Sequence, residues 1–202
     1  MGDPIPRTLA GLKKAEAQCR RCPLYQHATQ VVPGEGPQPA PLMMVGEQPG
    51  NDEDLQGHPF VGPAGRMLDR AIAEAGLDRK FIFVTNAVKH FKFEPRGKRR
   101  LHKRPSTYEI ERCKWWNDIE RNLVKPDLVV ALGATAARSL TGKTVTINKV
   151  RGQVLSLADG AKLVVTIHPS SLLRIKDSDD KKRQYGELVA DLRHCAEILR
   201  AS

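Results

Sequence analysis

The stretch LMMVGEQPG, residues 42–50, sets a five-residue apolar run against a turn made of glycine and proline. A run of this length with such a boundary reads as a buried strand ending at Gly46. Outward from it, strand and helix signals alternate. GRMLDRAIAEA, 65–75, has helical periodicity that puts Met67, Leu68, Ile72 and Ala75 on one face. Phe81 to Val88 reads as a second strand. Ser106 with Glu109 forms a capping box that opens a helix to about Leu123, and Pro126 marks its exit. LVVAL, 128–132, is a third strand, followed by a small helix over 134–140. Residues 153–157 and 162–167 read as a hairpin across Asp159-Gly160, and a charged helix from about Asp180 to Leu199 closes the chain. The first forty residues are irregular except for a helical pattern from Leu12 to Cys19. The alternation predicts one α/β domain over 1–202, with a mainly parallel central sheet flanked by helices. In such sheets ligands bind at the carboxyl ends of strands. The two richest motifs, after Gly46 and after Ile167, both begin there.

The 202 residues are enough for one domain with a core of its own. No apolar run approaches the roughly 18 residues of a membrane span, and MGDPIPRTLAGLKK lacks the apolar segment of a secretory signal. The expectation is a cytoplasmic monomer with no membrane partner. A net charge of +10 favours a polyanionic partner, nucleic acid first, although a solvated Lys/Arg surface accounts for charge equally well. Aromatics at 5% are too few for an extended base-stacking platform.

Cys19 and Cys22 form a Cys-x-x-Cys pair, and Cys113 and Cys195 stand alone. In a cytosolic chain such a pair is more often a metal or cluster site than a disulfide, and no strand precedes it as in a redox pair. Cys195, in an amphipathic helix beside Leu192 and Leu199, reads as a buried structural thiol. Spacing alone leaves the fourth ligand open among His90, His102 and Cys195.

GEQPGNDED (46–54), GHPFVGPAGRML (57–68), TNAVKHFKF (85–93) and IHPSSLLR (167–174) resemble, in matching order, the uracil-DNA glycosylase superfamily. Cys19, Cys22 and Cys113 resemble its iron–sulfur branch, family 4, in a three-layer α/β/α fold. The resemblance implies a [4Fe–4S] cluster on Cys19, Cys22, His90 and Cys113, tying residues 1–40 to the sheet. His90 stands where family 4 has cysteine. Imidazole binds iron, and zinc on three cysteines and one histidine is the alternative. Gln48 in place of alanine, and the basic insertion EPRGKRRLHKRP at 94–105, resemble the UdgX type. Its lysine–arginine–arginine–apolar–histidine loop reads here Lys98, Arg99, Arg100, Leu101, His102. The bland reading of 94–105 is a disordered basic loop on phosphates.

The resemblance implies uracil-containing DNA, preferably single-stranded, as partner. Phe60 would stack on the base beside Gly46, Asn86 would read uracil O4 and N3–H, and His168 would stabilise negative charge at O2. Glu47 and Gln48 are the candidates for holding water. Alternatively His102 attacks C1′ itself while Glu47 balances the imidazolium. Asp54 would anchor its loop. Ser170, with 171–173, would form a loop that enters or wedges the strand. Arg174 and the basic residues Lys98, Arg99 and Arg100 would meet phosphates. A conventional turnover glycosylase and a non-catalytic iron–sulfur uracil-binding module are the competing functions.

Overall fold

The computed structural model describes residues 5–201. In chain order the elements are α1 (Leu9–Ala17), β1 (Leu42–Gly46), α2 (Asn51–Gln56), α3 (Pro63–Glu74), β2 (Ile82–Asn86), β3 (Phe93–Arg96), β4 (Arg99–His102), α4 (Thr107–Val124), β5 (Leu128–Leu132), α5 (Ala134–Thr141), α6 (Ile147–Val150), β6 (Val154–Ser156), β7 (Lys162–Thr166), α7 (Pro169–Leu172) and α8 (Ser178–Arg200). The main sheet runs β2-β1-β5-β7-β6. Its first four strands are parallel, and β6 is antiparallel on β7 at the edge.

β1, β2 and β5 are buried along their whole length, which is why they read as continuous apolar runs rather than alternating ones. The period of two sends Leu42, Met44, Val84 and Val130 to one face, against Leu68 and Ile72 of α3 and Leu188 and Leu192 of α8. Met43, Val45, Phe83 and Val129 go to the other, against Val124 of α4 and Ala136, Ala137 and Leu140 of α5. The result is the three-layer α/β/α arrangement expected. Among the described residues no helix is long and apolar enough to cross a membrane.

The capping box at Ser106 forms, with Ser106 N–H donating to Glu109 Oε2 at 2.6 Å. Two boundaries move. α1 begins at Leu9 because Thr8 Oγ1 accepts from Gly11 N–H at 3.0 Å and caps it there. β2 ends at Asn86, two residues short of the expected Val88, as the chain turns and the Asn86 carbonyl accepts from Lys89 Nζ at 3.1 Å. The irregular N-terminal segment covers the outer edge of β2. Glu35 and Val84 exchange backbone hydrogen bonds of 2.8 Å in both directions, so the edge is not open for pairing with another chain.

The basic insertion is not a disordered loop. β3 and β4 form an antiparallel hairpin in which Phe93 faces His102 and Arg96 faces Arg99. Gly97, at φ +57°, takes the first position of the turn, the place where a two-residue hairpin requires glycine.

Candidate active site

The carboxyl ends of β1, β2 and β7 meet at one point. Gly46 and Asn86 are register partners at the ends of β1 and β2. A Cβ on Gly46 would run into the Asn86 Oδ1, come within 2.7 Å of the Phe60 ring and lie 3.3 Å from His168 Nε2. Only glycine lets these three side chains converge. They line a cavity of about 320 Å³, with Glu53, His102 and Leu173 at other parts of its wall.

Each group is held from behind. Phe60 sits at φ +59°, a left-handed conformation that costs a non-glycine residue about 1–2 kcal/mol. It is clamped there by Gly65, whose missing side chain lets α3 press on the Phe60 carbonyl. Its ring stacks at 25° on that of His168, with centroids 6.2 Å apart. Behind Asn86, the buried ammonium of Lys89 donates to the Asn86 carbonyl, to Thr85 Oγ1 and to Glu120 Oε2, the last at 2.7 Å. That network carried no signal in the sequence.

His168 shows which nitrogen bears its proton. Ser170 N–H donates to Nδ1 at 3.1 Å, which makes Nδ1 the acceptor and leaves the proton on Nε2. Burial pulls the ring down to about 4, so it is neutral at pH 7. Nε2 is sealed from solvent and has no hydrogen-bond partner in the protein. An N–H donor without a partner thus lies beside Gly46, together with Phe60 and Asn86, at the cavity wall.

The sequence profile described as the uracil DNA glycosylase superfamily matches residues 33–193. The chain belongs to the uracil-DNA glycosylase superfamily. It is 38% identical over 163 residues to the type-4 uracil-DNA glycosylase of Thermotoga maritima, covering 80% of this chain and 81% of that protein. To the type-4 uracil-DNA glycosylase of Archaeoglobus fulgidus it is 35% identical over 162 residues, covering 77% and 78%. The type-5 uracil-DNA glycosylase of Pyrobaculum aerophilum is more distant, at 29% over 171 residues, covering 76% and 71%.

Within this superfamily fold, the hairpin brings His102 to the cavity. His102 Nε2 lies 3.5 Å from Glu47 Oε1. Burial, first, pulls the pKa of His102 below the ordinary histidine value; Glu47 opposes the shift, and Arg174 and Arg104 add to it. Glu47 Oε2 accepts from Thr135 Oγ1 at 2.5 Å and lies 3.7 Å from Arg104 Nε.

Gln48 lines the cavity, but its amide is committed to the hairpin, and Arg100 turns in to a buried carboxylate. The Gln48 amide donates to the carbonyls of Lys92, at 3.2 Å, and Lys103, at 3.0 Å, and accepts from Lys92 N–H at 3.1 Å. It ties the two stems of the hairpin to β1 and has little capacity left for a water. Arg100 donates to Asp54 Oδ2 at 2.6 Å and to Asn51 Oδ1 at 2.9 Å, and its guanidinium lies over the Phe93 ring. It is a latch rather than a phosphate contact. Asp54, fully buried, also accepts from Thr29 N–H, at 3.0 Å on Oδ1, so it anchors the N-terminal segment and the hairpin together. Lys98 and Arg99 are exposed at the hairpin tip.

Where the sequence reads a loop over 170–173, the chain forms α7: Leu172 is wholly buried in the core and Leu173, just beyond it and 42% exposed, stands at the cavity rim. Ser170 Oγ sits 2.8 Å from His168 Nδ1 and serves the ring. Arg174 is exposed nearby. Glu53, which no motif singled out, lines the cavity with its carboxylate fixed by Gly50 N–H at 3.0 Å and Gly62 N–H at 2.8 Å.

Cys19, Cys22 and Cys113 share one apolar cluster with Trp116, whereas Cys195 lies in a different one, under α3 and α8. Each of the three receives an N–H. Trp116 Nε1 donates to Cys19 and Lys89 N to Cys113, both at 3.2 Å, and the Leu24 backbone serves Cys22. Burial pushes the thiols of Cys22 and Cys113 up. Donors aimed at buried sulfurs suit thiolates, and thiolates there need a bound cation. His90 is buried and neutral, with Asp54 and Arg20 as its charged neighbours. Among the described residues no three His, Cys, Asp or Glu side chains close on a single metal ion.

Proposed function

We propose that the protein excises uracil from DNA and that His102 then bonds covalently to the sugar C1′. The observation carrying the second step is the placement of His102 against Glu47 at the wall of the cavity, 3.5 Å apart. A base turned into the cavity stacks on Phe60. Asn86 pairs with uracil O4 and N3–H, and cytosine presents the opposite pattern at that edge. The C1′–N1 bond breaks with its electron pair going to the base, and the His168 Nε2–H stabilises the negative charge gathering at O2. The sugar, left oxocarbenium-like, takes the lone pair of the neutral His102 imidazole. The imidazolium so formed faces the Glu47 carboxylate. With Gln48 committed to the hairpin backbone, Glu47 is the one left of the two candidates to orient either the ring or a water.

Lys98, Arg99 and Arg174, all exposed, would grip the strand. Cys19, Cys22, Cys113 and His90 would hold a [4Fe–4S] cluster, whose work is to tie the N-terminal segment to α4 and the end of β2. The deciding experiment mixes the protein with a uracil-containing single-stranded oligonucleotide and runs a denaturing gel. A band that survives detergent and heat, with the DNA remnant on the His102 peptide by mass spectrometry, supports the reading. Free alkali-labile DNA instead selects conventional turnover, and unchanged DNA selects a binding module.

A further inference from the structure

We propose that Thr135 is a positioning residue for the capture step, holding one carboxylate oxygen of Glu47 so that the other is presented to His102. The proposal rests on the reading of His102 given above. Thr135 is 5% exposed, in the first turn of α5, and its hydroxyl donates to Glu47 Oε2 at 2.5 Å. The backbone behind it is fixed from two strands. Gly133, at φ +92°, carries β5 into α5, and its N–H donates to the Thr166 carbonyl of β7 at 2.9 Å.

The hydroxyl has a competitor. Arg104 Nε lies 3.7 Å from the same Oε2, on a side chain that is 76% exposed. A guanidinium that took both oxygens in a forked pair would turn the carboxylate outward. The Thr135 bond keeps Oε2 against α5 and leaves Oε1 facing His102 Nε2 at 3.5 Å. Orientation matters because capture creates charge. When the imidazole lone pair becomes the bond to C1′, the ring turns positive, and the leaving base has already carried off the pair from C1′–N1. A carboxylate pointed at the ring offsets that charge, and its effect falls with distance. Base release precedes this and depends on Asn86, His168 and Phe60, so Thr135 acts on capture more than on excision.

The test uses the whole protein with a uracil-containing single-stranded oligonucleotide. Uracil release and adduct formation are timed separately, and affinity is measured on the same strand carrying thymine. Thr135→Val removes the donor at nearly constant volume, and Thr135→Ser restores it. Thr135→Val should slow adduct formation about tenfold, the scale of one hydrogen bond to a charged group, with release changed less than about twofold. Affinity should not change, and Thr135→Ser should capture like the parent. Thr135→Val combined with Arg104→Gln should recover most of the lost rate, because the competing guanidinium is gone. A merely structural role would not give that recovery. Thr135→Val capturing at the parent's rate overturns the proposal. So does equal loss of release, capture and affinity, or failure of the double variant to recover. If the parent releases uracil without any adduct, the reading of His102 fails instead, and the capture role of Thr135 falls with it.

Discussion

Arg100 reaches from the middle of the hairpin to Asp54, 2.6 Å away, and the carboxylate it meets is fully buried. Two neighbours in sequence, Lys98 and Arg99, remain in solvent. Three consecutive basic residues therefore divide into a latch and two exposed cations. Removing the latch leaves a buried carboxylate short of its cation, so Arg100→Ala should cost about 2 kcal/mol of stability. It should also slow capture, because the hairpin carries His102. The salt slope of DNA binding should stay as in the parent.

Lys98→Ala and Arg99→Ala should behave in the opposite way. Each should reduce the slope of log affinity against log salt by about one contact, since each phosphate neutralised releases counterions. Thermal stability should be unchanged. Binding measured at several salt concentrations separates the two classes, and an unaltered slope in the double variant would remove this pair from the interface.

In the proposed mechanism bond breaking rests on Asn86, His168 and Phe60, so His102→Gly should still release uracil. With the ring gone, water has room beside Glu47, so the variant should form no adduct and turn over repeatedly. Product counted per protein molecule checks this. A His102→Gly protein that crosslinks like the parent would sink the assignment.

His168 makes stability depend on pH with a definite sign. Burial lowers it from 6.5 to about 4, so between those values the unfolded chain binds the proton and the folded chain does not. Its contribution is complete above pH 6.5 and is lost as pH falls through about 4. His168→Asn should flatten the decline in melting temperature over that window. It should also slow uracil release and adduct formation together, as it acts before capture.

Glu53 fills the cavity wall beside Gly50. Glu53→Ala should open that wall and allow measurable excision of thymine while uracil excision persists. Thymine release assayed on a thymine-containing strand decides it. A variant as selective as the parent would show that another group excludes the methyl.

LMMVGEQPG by itself determined a buried parallel strand with a site at its end, because the period and length of an apolar run are local properties. The same holds for the Ser106 capping box and for α3 and α8. Phe60, Asn86 and His168 were legible as a set through the motifs that contain them. The hairpin's one local signal, Gly97 before Lys98, was masked by the charges around it. Only the tertiary structure decided what Gln48, Arg100, Lys89 and Thr135 do. Each has a partner far away in sequence: Gln48 and Lys103 are 55 residues apart, Arg100 and Asp54 46, Lys89 and Glu120 31, and Thr135 and Glu47 88. A polar side chain takes whichever donor or acceptor folding brings within about 3 Å. No spacing in the chain encodes that choice.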